Sequence, residues 1–189
     1  MQWFLEIRFP RLWMPFALYL PLAAILITVS LSVHPRPAWE TLSLLAIGLF
    51  SWTLIEYFLH RFVFHELTLK SPWNQLSSAF HLSHHEAVVT GEPDIVITRP
   101  AGSLPFALLF FFLFSLLCWS FSEAALVESG IFFGYLGYEA AHYGAHHFQP
   151  RHRLTRYLKN YHLQHHLRFP NRHFGVTSPL WDRVFGTRG

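Results

Sequence analysis

The feature that most constrains this chain is a histidine pattern that occurs twice. Ten of the fourteen histidines form two sets of five: His60, His65, His81, His84 and His85, then His142, His146, His162, His165 and His166. Adding 81 to positions 65, 81, 84 and 85 gives 146, 162, 165 and 166, whereas the first members of the two sets are 82 apart. Histidines that only fill a core have no reason to repeat in this way, but two sets of metal ligands do. The pattern therefore predicts a metal centre built from these ten side chains.

The number of histidines indicates two metal ions. Imidazole nitrogen suits zinc, copper, iron and nickel, and a single zinc site takes three or four protein ligands. Ten histidines therefore indicate two ions with about five ligands each. His60 and His65 are five residues apart, so we expect the helix that carries them to end or distort between them. The duplication suggests one ion per half of the chain, but the ligands can also cross over.

Other metal motifs fit this sequence less well. The zinc-protease pattern HExxH is absent. Soluble di-iron bundles use two Glu-x-x-His motifs and two further glutamates, and only Glu139 and His142 have that spacing. The two-histidine, one-carboxylate arrangement of mononuclear iron oxygenases is not evident either. An all-histidine dinuclear site remains as the prediction.

The composition points to lipid as the solvent. The chain is 52% hydrophobic and only 13% charged, whereas soluble domains carry about 25% charged residues. Four apolar stretches approach the ~20 residues that a membrane helix needs: 12–33, 41–64, 104–121 and 124–142. We therefore expect an all-α integral membrane protein with four transmembrane helices and a cytoplasmic histidine-rich helical cap from 60–85 and 142–187. Residues 1–189 are expected to form a single membrane-embedded domain.

The Lys and Arg residues predict the orientation of these helices. They are concentrated before the first stretch, around the 65–103 loop and after the fourth stretch. By the positive-inside rule, both termini and that loop are expected to be cytoplasmic, in the inner membrane of a bacterium or the endoplasmic reticulum of a eukaryote. The second and fourth helices would then bring His60, His65, His142 and His146 to one face of the membrane.

The spacing and its flanking residues resemble a known family. The patterns His60-x4-His65, His81-x2-His84-His85, His142-x3-His146-His147 and His162-x2-His165-His166 resemble the histidine boxes of the fatty acid hydroxylase and sterol desaturase superfamily. The resemblance covers residues 45–187. The stretches 60–65, 161–166 and 174–187 look most like the fatty acid 2-hydroxylase branch.

This resemblance implies an activity, its cofactors and its partners. It implies two iron ions that activate dioxygen and a lipid acyl chain that is hydroxylated beside its carboxyl group, with the ten histidines as metal ligands. Zinc can replace iron in a purified sample, since both accept imidazole. The fused haem domain common in that branch is not found in these 189 residues. We therefore expect a separate haem or iron–sulfur electron donor with a reductase, and no nucleic-acid partner.

Four alternatives remain open at the level of sequence, one of which is a catalytically silent scaffold that the complete histidine sets disfavour. A sterol or lipid desaturase, or a carotenoid hydroxylase, would use the same chemistry, because substrate position decides between hydroxylation and desaturation. A membrane transporter is a different class, but its sites lie near the bilayer midplane among broken helices. A zinc hydrolase would need an open site with a general base and no electron donor.

Several further residues are candidates near the site. Ligating histidines generally donate their second N–H to a carboxylate or carbonyl, and the carboxylates placed to accept it are Glu56, Glu139, Asp94 and Asp182. Asp182 is equally consistent with a surface salt bridge. His147 is expected to contact the site or lipid headgroups without binding metal. His173 is expected either at a substrate entrance or in solvent.

Overall fold

The chain was analysed as a computed structural model that describes residues 12–66, 72–90, 98, 100–118 and 120–189. Every regular element in these ranges is helical, which confirms the all-α prediction. The elements are α1 (Trp13–Val33), α2 (Ala38–Phe58), a π-helical segment (Leu59–Glu66), α3 (Pro72–Thr90), α4 (Pro100–Cys118), α5 (Phe121–His147), α6 (Arg153–Leu167) and α7 (Leu180–Val184).

The four apolar stretches are all helical, but the prediction of four membrane spans is not confirmed. Among the described residues, two helices are long and apolar enough to cross a membrane: Trp13–Val33 and Ala38–His65. The apolar part of α4, Gly102–Cys118, is shorter. The remaining helix, α5, carries three glutamates in its sequence. These glutamates lower the mean hydropathy of α5. Two of them, Glu128 and Glu139, are nevertheless buried inside the protein.

The chain divides into two compact units. The apolar unit consists of Trp13–Thr53 and Thr98–Gly137, and the histidine unit is built mainly from Leu54–Ile97 and Tyr138–Gly189. Helices α2 and α5 each contribute residues to both units.

Glycines set the packing of the apolar unit. A Cβ atom added to Gly48 of α2 would overlap the carbonyl oxygen of Val127 in α5, and one added to Gly130 of α5 would overlap the carbonyl oxygen of Leu45. The backbones of the two helices are therefore in direct contact. Small residues at such positions let helices approach closely where lipid offers no hydrophobic driving force for their association.

Hydrogen bonds between hydroxyl groups also join the helices of the apolar unit. The Tyr19 hydroxyl donates to Ser103 Oγ at 2.8 Å, and Ser30 Oγ donates to the Ser122 carbonyl at 2.7 Å. The Tyr19 ring packs edge-on against Phe132 at 4.8 Å between centroids. These bonds link α1 to α4 and to α5, so the hydroxyl groups of Tyr19 and Ser30 are satisfied inside the unit.

The π-helical segment determines how the histidine unit begins. In an α-helix, residues five apart point about 140° away from each other, so His60 and His65 would diverge. A π-helix closes its hydrogen bonds from i to i+5, and the segment Leu59–Glu66 therefore turns both imidazoles to the same side. The distortion that the sequence predicted between these two histidines is confirmed. Helix α3 packs against this segment and against α6.

Candidate metal centre

All ten predicted histidines lie in two clusters. In each cluster one ring nitrogen from every member lies within 4.8 Å of the others. The first cluster consists of His60, His65, His81, His85 and His165. The second cluster consists of His84, His142, His146, His162 and His166.

The two sets exchange one histidine between the clusters. His165 of the second set lies in the first cluster, and His84 of the first set lies in the second cluster. These are equivalent positions of the repeat, since 84 plus 81 is 165. In α3, His81 and His85 belong to the first cluster and His84 to the second. In α6, the equivalent pair, His162 and His166, belongs to the second cluster and His165 to the first. The crossing of ligands that the sequence left open is thus found in the structure.

The clusters are adjacent. The rings of His85 and His166, which belong to different clusters, lie 4.0 Å apart between centroids. His165 and His166 are neighbours in α6 and also belong to different clusters, with ring centroids 5.5 Å apart. Ions held at both clusters would therefore be close neighbours.

The ring nitrogens within each cluster have the spacing of ligands around one ion. In the first cluster, His65 Nε2 lies 2.9 Å from His81 Nε2 and 3.1 Å from His165 Nε2. In the second, His162 Nε2 lies 3.0 Å from the Nε2 atoms of both His146 and His166. Nitrogens about 2.1 Å from a common ion and at right angles to each other would lie about 3.0 Å apart. The residues present therefore fit a metal ion in each cluster.

Burial keeps these imidazoles neutral. Desolvation is the largest cause that lowers the pKa of His81, His162, His165 and His166, and the neighbouring histidines lower it further. Only a neutral imidazole has a lone pair to give to a metal. The environment therefore holds these side chains in the state that a ligand needs.

Backbone carbonyls orient two ligands of the first cluster. His60 Nδ1–H donates to the Phe174 carbonyl at 2.5 Å, and His165 Nδ1–H donates to the Arg172 carbonyl at 2.6 Å. A carbonyl only accepts, so the ring proton lies on Nδ1 and the Nε2 lone pair points into the cluster. Sequence analysis missed both partners, because a backbone carbonyl leaves no signal in residue type.

Two of the predicted carboxylates, Asp182 and Glu56, accept hydrogen bonds from the backbone of the segment that contains these carbonyls. Asp182 is fully buried and accepts hydrogen bonds from the backbone amides of Phe174 and Gly175, at 2.9 and 2.8 Å. Glu56 is buried and accepts from the amides of Val176 and Thr177. The alternative of a surface salt bridge for Asp182 is therefore wrong.

The other candidates have different surroundings. Glu139 is fully buried, and Asp94 lies outside the described residues. His147 is exposed, with its ring 4.2 Å from that of Tyr143. His173 is only 2% exposed and stacks on Tyr161, so the prediction of a solvated His173 is wrong.

With this geometry established, residues 45–187 match the fatty acid hydroxylase family. The chain belongs to this family. The resemblance seen in the histidine spacing is therefore confirmed, over the same residues. The matched residues include all ten clustered histidines.

Curated relatives and a solved structure agree with this assignment. Dihydroceramide fatty acyl 2-hydroxylase FAH2 of Arabidopsis thaliana is 36% identical over 94% of this chain and 71% of its own length. Ceramide very long chain fatty acid hydroxylase scs7 of Schizosaccharomyces pombe is 38% identical over 76% of this chain, but over only 41% of its own length. The structure of full-length scs7p, in which only the hydroxylase domain is visible, has a TM-score of 0.77 and 30% identity. The match covers 94% of this chain and 66% of the chain in that structure.

Proposed function

We propose that this chain is a non-haem di-iron, oxygen-dependent membrane hydroxylase that acts on a lipid acyl chain, most specifically a fatty acid or sphingolipid acyl 2-hydroxylase. The observation that carries the proposal is the pair of adjacent clusters, each with five buried or half-buried imidazoles. Five ligands exceed the three or four of a protein zinc site. Membership in the fatty acid hydroxylase family and the names of the relatives favour hydroxylation over desaturation, carotenoid hydroxylation or transport.

The first cluster would hold one iron and the second cluster the other. The two irons would supply the activation of dioxygen and the oxidising equivalents for a C–H bond. Zinc can take the place of iron on the same nitrogens in a purified sample, since both metals accept imidazole.

An apolar side chain, Phe174, would shield the first metal site. The buried ring of Phe174 lies 5.7 Å from His60 and 5.6 Å from His165 between centroids. It therefore covers one side of the first cluster with apolar surface and keeps water from these ligands. The C–H bond would be broken by oxidation and not by removal of a proton, so no charged base is needed, and the outcome would depend on how the acyl chain is positioned.

A membrane setting follows from the apolar helices. Two helices have the length and hydropathy of a membrane span. In α4 the exposed residues Leu108, Phe112 and Leu116 are spaced four apart and form one apolar face, which would contact lipid. On this proposal α4 and α5 also cross the bilayer, the chain forms one membrane-embedded domain, and both termini are cytoplasmic.

Helix α6 offers a place for the electron donor. Its buried face carries His162, His165 and His166, which belong to both clusters. Its exposed residues include Arg153 and Arg156. An acidic one-electron carrier, a haem or iron–sulfur protein with its reductase, would be attracted to this face and would dock one helix away from both clusters.

The proposed activity is tested by lipid mass spectrometry of a host that expresses the chain with oxygen and iron. A 2-hydroxy acyl lipid is expected with the intact chain and is expected to disappear with the double variant His84→Ala and His165→Ala, which removes one ligand from each cluster. The matched control is His152→Ala, an exposed histidine outside both clusters, which should retain the product. If the intact chain is present with iron and a working donor and no lipid gains oxygen, the proposal is wrong.

A further inference from the structure

We infer that Glu56 and Asp182 are positioning residues for the first metal site, and that they act on it through the backbone of residues 172–177. This inference rests on the proposed function, because it assumes that the first cluster holds a metal. It differs from the expectation drawn from sequence, in which these carboxylates would accept directly from histidine.

The 172–177 segment connects the two carboxylates to the ligands. It has no regular secondary structure, yet residues 173–176 are all buried. Phe174 is central, since its amide donates to Asp182 and its carbonyl accepts from His60. The Arg172 carbonyl, two residues earlier, accepts from His165. A shift of this segment would therefore move the partners of two ligands together.

Each carboxylate holds one part of the segment. Asp182 uses one oxygen for the Phe174 amide and the other for the Gly175 amide. Glu56 accepts from the amides of Val176 and Thr177 with one oxygen and from the Thr177 hydroxyl with the other. Glu56 also lies four residues before His60 on the same continuous helix. It thus ties the segment to the element that carries this ligand.

The segment has little freedom to adopt another conformation. A Cβ atom added to Gly175 would overlap the Ser178 carbonyl oxygen. His173 has a φ of 59°, in the left-handed region, and its amide donates to the Thr187 carbonyl at 3.0 Å. Buried backbone amides that lose an acceptor are costly, so removal of either carboxylate should displace the segment.

The consequence is specific to the first cluster. Because the carbonyls fix the proton of His60 and His165 on Nδ1, they keep the Nε2 lone pairs available in that cluster. Neither Phe174 nor Arg172 makes such a bond to a member of the second cluster among the described contacts. Loss of a carboxylate should therefore weaken one metal site much more than the other.

The test measures bound iron and the Mössbauer spectrum of the full chain loaded with ⁵⁷Fe, without substrate. Asp182→Asn keeps the size of the side chain but turns an N–H₂ group toward Phe174 or Gly175. Glu56→Gln is milder, because its amide can still bond to the Thr177 hydroxyl. The control is Glu86→Gln, an exposed carboxylate next to a ligand. Circular dichroism and thermal unfolding establish that each variant is folded.

We expect the intact chain and Glu86→Gln to hold two irons. Asp182→Asn should bind one of the two irons about 10- to 100-fold more weakly, with one changed component in the spectrum, and Glu56→Gln should show a smaller effect in the same direction. If Asp182→Asn does not fold, the Glu56→Gln result decides. Equal loss of both irons in a folded variant, or two unchanged iron signals, would overturn the inference.

This outcome is distinguishable from failure of the proposed function. An intact chain that binds two irons but makes no hydroxylated lipid would contradict the function and leave the positioning result intact. An intact chain that holds fewer than two metals would overturn both.

Discussion

The two nitrogens of a clustered histidine have different roles, and only one of these roles was visible in the sequence. The Nε2 atoms converge, and the spacing of the ten histidines was sufficient to predict which residues take part. The exchange of His84 and His165 could not be predicted, because it depends on how α3 and α6 face each other. The Nδ1 partners were not predictable either, since two of them are backbone carbonyls.

At this scale the neutral histidines predict how acid affects the metal-free protein. Burial lowers the pKa of His81, His162, His165 and His166 below its usual value of 6.5. Below pH 6.5 the unfolded chain binds protons that the folded chain does not. Their stabilising contribution is therefore complete above that pH and falls as the pH drops, by up to about 1.4 kcal/mol per pH unit for each histidine.

Thermal unfolding of the metal-free protein should therefore show a lower Tm at pH 5.5 than at pH 7.5. The exposed-histidine variant His152→Ala should show the same dependence on pH. An equal or higher Tm at pH 5.5 would mean that these histidines are not held neutral.

At the level of elements, the length of the apolar stretches predicted where the helices lie, but the prediction of four membrane spans is not confirmed. The predicted stretch 12–33 became Trp13–Val33, and the stretch 124–142 became part of Phe121–His147. Two of the three carboxylates of α5, Glu128 and Glu139, are buried, and a hydropathy average along the chain does not contain that information. The spacing of His60 and His65 did predict a distortion, because the requirement for a shared face excludes a regular α-helix.

The contact between α2 and α5 predicts the effect of a single methyl group. Gly48→Ala should lower the free energy of unfolding by about 1–3 kcal/mol, because the new Cβ overlaps the Val127 carbonyl and forces the helices apart. The control is Gly137→Ala in α5, the other helix of this contact, where a Cβ meets nothing within 4 Å. It should be neutral or stabilising by up to about 1 kcal/mol. Unfolding of both variants in one detergent provides the comparison, and equal stability would contradict the close packing.

At the scale of the whole molecule, composition and spacing together pointed to a membrane metalloprotein, and family membership now supports the class of chemistry. The division into an apolar unit and a histidine unit was not predicted, because α2 and α5 contribute to both and no composition boundary marks the change. Charge is unevenly distributed as well, with Arg153 and Arg156 on the exposed side of α6.

This distribution predicts a salt-dependent reaction with an acidic donor. The double variant Arg153→Glu and Arg156→Glu should slow reduction by a negatively charged b-type cytochrome about tenfold or more at low salt, and the difference should shrink as salt screens the charges. Stopped-flow reduction measures the rate. Arg183→Glu, an exposed position on α7, is the control. A rate that is unchanged, or that shows no dependence on salt, would place the docking surface elsewhere.

On the proposed function, the paired histidine clusters use dioxygen to hydroxylate a lipid acyl chain. The most direct test supplies ¹⁸O₂ to the iron-loaded chain in lipid nanodiscs, with an electron donor and a ceramide or fatty acyl substrate, and analyses the product by mass spectrometry. One ¹⁸O atom is expected in a hydroxyl group at carbon 2, and this product should be absent when His84 and His165 are both replaced by alanine. A product labelled from H₂¹⁸O, or no oxygenated product from a chain that holds two irons and is reduced by its donor, would contradict it.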